Sequence, residues 1–132
     1  MQEFSKVLVK VPQAYLDLVN QIFEIERKAS LIKEDNSIAR NINKLKDLMQ
    51  SELFTVKGNE STIGLTYHNP IGENYSDTRT DCEASIAGTN TENLVIVEVI
   101  KPIVFYTYSE AGKVLKNIAQ KAVVIVKSKD TL

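Results

Sequence analysis

The sequence predicts an α+β chain: two N-terminal helices followed by a small all-β domain of short strands. Three observations carry this expectation. No glycine precedes Gly58, and Pro12 is the one proline of the first half. Apolar residues in that half recur at steps of three and four, which places them on one side of a 3.6-residue helix. Beyond Phe54 the texture changes, with Gly58, Gly64, Pro70, Gly72, Gly88, Pro102 and Gly112 separating runs rich in β-branched residues. Short strands joined by turns have this texture. The expected division is a helical segment over 1–53 and a β-rich domain over 54–132.

Pro12 suits the first turn of a helix, where its missing N–H costs nothing. From there Tyr15, Val19, Ile22, Glu26, Ala29 and Ile32 or Lys33 step by three and four, with Leu16, Leu18, Phe23 and Ile25 widening the apolar side. The pattern predicts roughly 20 helical residues, about 30 Å at 1.5 Å per residue. Ahead of Pro12, Val7, Val9 and Val11 alternate with Lys6, Leu8 and Lys10. That stretch reads as a strand or, by preference, a helical or irregular extension.

Glu34-Asp35-Asn36-Ser37 reads as a break, three of its residues being good N-cap types. A second helix follows, with Ile38, Ile42, Leu45, Met49 and Leu53 on one face and Leu48 beside them. An amphipathic stripe of this kind demands a partner surface. The two helices are expected to form a hairpin within one chain or a dimerisation arm in which those five residues pair with a second copy.

In the second half, 61–67, 82–87, 94–100, 103–108 and 120–127 read as strands, with a turn at Asn69-Pro70-Ile71-Gly72 and a polar connection over 74–81. Pro102 cannot donate to a sheet ladder, so it marks a bulge, an edge or a corner. Strands at this spacing suggest a compact sandwich or small barrel.

Composition narrows the function classes. At 132 residues, 43% hydrophobic and 25% charged with a net charge of −1, the chain is a globular protein of one domain, or of a small domain plus a helical arm. No apolar run approaches the roughly 18 residues of a membrane span. The start Met1-Gln2-Glu3-Phe4-Ser5-Lys6 lacks the pattern of a secretory signal, and a lone Cys82 fits a reducing cytoplasm. Charge is unevenly spread. Glu73, Asp77, Asp81, Glu83 and Glu92 face one base, Arg79, whereas Lys113, Lys116, Lys121, Lys127 and Lys129 occupy an acid-free stretch. A basic, aromatic-interleaved face on a basic domain marks nucleic-acid binding. This chain is not basic overall, and no nucleic-acid partner is expected.

The residues offer no catalytic constellation. Nucleophilic catalysis needs an activated Ser, Cys or Thr beside a base, and Cys82 with His68, the sole histidine, has no supporting flank. Cys82 reads as a packed strand residue and His68 as a surface loop residue. The carboxylates Asp77, Asp81 and Glu83 read as solvated. No metal site is expected from one Cys and one His, and neither the Walker nor the GxGxxG phosphate loop occurs. The expectation is a non-enzyme without a cofactor.

Several segments resemble the GrpE family, the nucleotide exchange factors of Hsp70 (DnaK-type) chaperones. Ile22-Phe23-Glu24-Ile25-Glu26-Arg27-Lys28-Ala29 is similar to the family's helical segment. Pro70-x-Gly72, Tyr75, Asp77 and Glu83-Ala84 resemble its glycine, Phe-Asp-Pro and His-Glu-Ala sequence. Val95-Ile96-Val97-Glu98-Val99 with Lys101 looks like its Val-x-Glu strand, and Lys121-Ala122-Val123-Val124-Ile125-Val126 like its final strand. The pieces spread over most of 15–127. The chain departs from the family in having Cys82 for the histidine, in lacking the Phe-Asp-Pro proline, in longer stretches over 72–83 and 107–120, and in lacking most of the long N-terminal helix.

The resemblance implies a cytoplasmic co-chaperone that binds an Hsp70 nucleotide-binding domain through its β domain and promotes ADP release, with a homodimer formed through the helices. Glu83, Glu98, Lys101 and Lys121 are the contact residues it implies. The alternative is a non-catalytic adaptor or assembly protein with an unrelated partner.

Overall fold

The computed structural model describes residues 10–32, 37–55, 62–110 and 112–132. Two helices, α1 (Gln13–Ala29) and α2 (Ile38–Gln50), precede seven strands. These are β1 (Phe54–Thr55), β2 (Thr62–His68), β3 (Cys82–Ile86), β4 (Leu94–Lys101), β5 (Ile103–Glu110), β6 (Lys113–Gln120) and β7 (Ala122–Ser128). The α+β class and the order of helices before strands are as the patterning predicts. Val7, Val9 and the break at Glu34-Asp35-Asn36 lie outside the described residues. Val11 is buried in the core.

Helix α1 starts after Pro12, and Arg27 and Lys28 in its last turn favour the negative end of the helix dipole. It buries Leu16, Val19 and Phe23. Leu18 and Ile25 face solvent rather than widening the apolar side. Glu26 interrupts the stripe because its carboxylate has partners: the Tyr67 hydroxyl donates to it at 2.9 Å, and Lys46 of α2 pairs with it. Lys46 also lies 4.9 Å from the Tyr67 ring centroid. This cluster ties α1, α2 and β2 together.

Helix α2 ends at Gln50, three residues short of the expected Leu53. The Leu53 N–H bonds instead to the Ile63 carbonyl, so the chain has already joined the sheet. Within the chain the helices pack as a hairpin, and α2 also packs on β2.

The strands form two sheets. One has the order β1-β2-β5-β6 and is antiparallel throughout; the other has the order β3-β7-β4, with β3 parallel and β4 antiparallel to β7. A long bent hairpin links them. Its first arm runs through β4 and β5 and its second through β6 and β7, and both change sheet at one level, at Pro102 and Lys121. Strands that switch sheets through bulges or bends make the corners of packed sheets. The Gln120 amide clamps this corner, donating to the Pro102 carbonyl at 3.1 Å and exchanging hydrogen bonds with Asn20 of α1 at 2.8 and 3.1 Å.

One core collects Val11, Leu16, Val19, Met49, Ile63, Leu65, Val104, Tyr106 and Tyr108. A second collects Phe23, Cys82, Ile96, Val99, Ile103, Ala122, Val124 and Val126. Helix residues enter both. The boundary at 53/54 therefore marks a change of element type that both cores cross. Two strands escaped the sequence reading. Strand β1 has two residues, too few to show a pattern. Strand β6 is an outer strand whose first six residues are exposed, which removes the in–out alternation that marks a half-buried strand.

Candidate functional site

The three-stranded sheet buries one face and presents the other. On β7, Ala122, Val124 and Val126 point into the core, while Val123 and Ile125 are half-buried on the opposite side. Register aligns the neighbours of those two residues. Glu83 of β3 and Lys101 of β4 flank Val123 in one cross-strand row, and Ser85 and Glu98 flank Ile125 in the next. Lys121 stands exposed two residues before Val123.

The four contact residues inferred from the family resemblance, Glu83, Glu98, Lys101 and Lys121, thus gather on and beside a single sheet face, although they span 39 positions of sequence. All four are exposed, and among the described residues none has an ion pair or side-chain hydrogen bond. Two irregularities in β4 each add an unpaired residue, Val97 and Ile100, and both are exposed. Bulges commonly re-aim side chains at sheet edges and binding faces. The result is a two-residue apolar centre, Val123 and Ile125, with acids and bases at its margin.

The acidic loop differs from a uniformly solvated patch. Arg79 turns inward between two of its five acids, donating to Asp81 at 2.7 and 3.3 Å and to Glu73 at 2.7 Å. It also donates to the Asn74 carbonyl at 3.0 Å. His68, the last residue of β2 rather than a loop residue, sits against Glu73 on the same network. Burial pushes the Glu73 carboxyl up, but hydrogen bonds from Arg79 and His68 outweigh it, and the group titrates below its ordinary range. Arg79 likewise holds Asp81 below the usual carboxylate range, against the opposing effect of burial. The Asp81 carbonyl accepts the Ala122 N–H at 3.0 Å. The network therefore anchors the loop to the start of β3 and β7, beside Lys121. In the sequence the one signal for it was a single base among five acids.

Cys82 lies beneath this network. It is buried, and burial pushes its thiol up to about 11. A nucleophilic cysteine needs the opposite shift, toward the thiolate. Cys82 acts as a small packed strand residue, in contact with the core of the three-stranded sheet.

The helical stripe is divided. Ile42 and Met49 are buried inside this chain, and Leu53 packs against the core with Met49. Ile38, Leu45 and Leu48 remain at the surface. Ile42 and Met49 are thereby removed from any contact with a second copy, because the hairpin partner and β2 already cover them. No helix among the described residues is long and apolar enough to cross a membrane.

Comparison with known proteins returned no match to any family model, curated protein or solved structure.

Proposed function

We propose that this chain is a non-catalytic protein-binding module whose docking face is the outer side of the three-stranded sheet, and that it serves as a GrpE-like co-chaperone in the cytoplasm. The observation that carries the reading is the convergence of Glu83, Glu98, Lys101 and Lys121 around Val123 and Ile125, with no ion-pair partner among the described residues to neutralise them. Unneutralised charges of both signs around a small apolar centre favour a partner of complementary pattern and set its register.

On this reading the face engages the nucleotide-binding domain of an Hsp70 and binds its open cleft more tightly than its closed one. A ligand shifts an equilibrium only by its differential affinity for the two states. ADP would leave faster with no covalent step, and by linkage ADP would weaken the complex in equal measure. A homodimer formed through the helices would use Leu45 and Leu48 with Ile38, the part of the stripe left at the surface.

The test is stopped-flow release of a fluorescent ADP analogue from a DnaK-type Hsp70. Saturable acceleration is expected, with about tenfold loss on combined reversal of Glu98 and Lys101. Unchanged release, with no complex to the nucleotide-free chaperone, would reject the co-chaperone reading and leave an adaptor with an unrelated partner.

A further inference from the structure

Strand β6 is the outermost strand of the four-stranded sheet, bonded to β5 on one side and, among the described residues, to no strand on the other. Val114, Leu115 and Ile118 are 72%, 37% and 41% exposed. An edge of this kind offers a row of N–H and C=O groups to any strand that can lie beside it. Lys113–Ile118 gives about 20 Å of such edge at roughly 3.3 Å per residue.

Charge decides which strand fits. Lys113 and Lys116 lie on β6, and no acid occurs from Lys113 to Gln120. Antiparallel pairing of two copies of β6 would bring four lysines into one ribbon whose two strands carry no acid of their own, and like charges across a sheet destabilise it. Lysine on an edge strand is a known guard against self-pairing. An incoming acidic strand meets no such penalty. Alternation puts Val114, Lys116 and Ile118 on one side of β6, next to Ser109, Thr107 and Phe105 of β5. The Lys116 ammonium is held 4.1 Å from the Phe105 ring centroid, which limits the side-chain freedom lost on binding.

We propose that β6 takes up an extended acidic segment of another protein as a fifth strand of its sheet, with the pattern apolar-x-acid-x-apolar opposite Val114, Lys116 and Ile118. The surface is separate from the three-stranded face, and the inference does not depend on an Hsp70 partner.

The probe is a fluorescein-labelled peptide, Thr-Val-Thr-Glu-Thr-Ile-Thr, titrated with the full chain by fluorescence anisotropy while amide shifts are mapped by NMR. Saturable binding is expected, with shifts concentrated on 113–120. Lys116→Glu should weaken it about tenfold, and a peptide carrying lysine for glutamate should recover that loss. N-methylation of alternate peptide amides should abolish binding in one phase and spare it in the other, a readout that needs no protein variant. Binding indifferent to methylation phase and to charge reversal would overturn the proposal. So would a doubling of mass by sedimentation with the β6 shifts present before peptide is added, which would make a second copy the occupant.

Discussion

Gly64 is the residue on which the helix–sheet junction turns. A β-carbon there would collide with the Gln50 carbonyl oxygen and lie 2.6 Å from that of Ser51. Both obstacles are backbone at the end of α2, so neither can swing aside. Gly64→Ala should destabilise the fold by about 3 kcal/mol, the upper end of overpacking costs, as read by urea denaturation. A loss below about 0.5 kcal/mol would show that α2 can lift off β2. At Cys82, burial and the raised thiol predict slow reaction with a thiol reagent at neutral pH in the native state and fast reaction in urea. Rapid native labelling would contradict both. Glu73 and Asp81 both titrate below their ordinary values, so the unfolded chain binds more protons than the folded one in mildly acidic solution. Their stabilisation is complete above about pH 4.5, near the ordinary carboxylate values, and is lost as pH falls through the lowered ones. Arg79→Met should flatten that acid limb of a stability–pH curve, and an unchanged limb would remove the network from the account.

Among the elements, the bent hairpin depends on one side chain at its corner. Pro102 leaves the ladder without an N–H at that level, and Gln120 accommodates the irregularity by binding the Pro102 carbonyl and Asn20 together. Gln120→Ala should cost about 1–2 kcal/mol for the lost hydrogen bonds. Faster amide exchange should appear around Pro102 and Lys121 rather than at the far ends of the strands. Uniform change across both sheets would instead indicate a global effect. The helix pair has a comparable fastening in Glu26, Lys46 and Tyr67. It explains a charge inside an otherwise apolar stripe, since a half-buried carboxylate with a hydroxyl donor and an ammonium partner is satisfied where a bare one would not be.

For the molecule as a whole, the cores run across the boundary between helices and strands. The helices are built into the support of the sheets rather than forming a free arm, which limits what a second copy could cover. The outer face of the three-stranded sheet and the β6 edge are borne on the two different sheets. Charge reversals on one should leave the other's binding unchanged, a separation that parallel titrations of Glu98→Lys and Lys116→Glu would measure. Loss of both activities in either variant would argue for a single contiguous surface.

Much of this was legible in the sequence. The helices showed in their three-and-four spacing, and β2, β4, β5 and β7 in runs of β-branched and aromatic residues between turn signals, because those patterns reflect local geometry and one-sided burial; β3, with Ile86 its one β-branched residue, showed only as a short segment between polar stretches. Strand β6 was not, because an exposed edge strand leaves no alternation to detect. Tertiary structure alone decided the rest. The pairing of β7 with both β3 and β4 brought Glu83 and Lys101 to either side of Val123, the inward turn of Arg79 took up two of the acids in its loop, and the packing of α2 on β2 enclosed Ile42 and Met49. Each of these depends on contacts between residues far apart in the chain, and a residue's own neighbours in sequence carry no record of what will be folded against it.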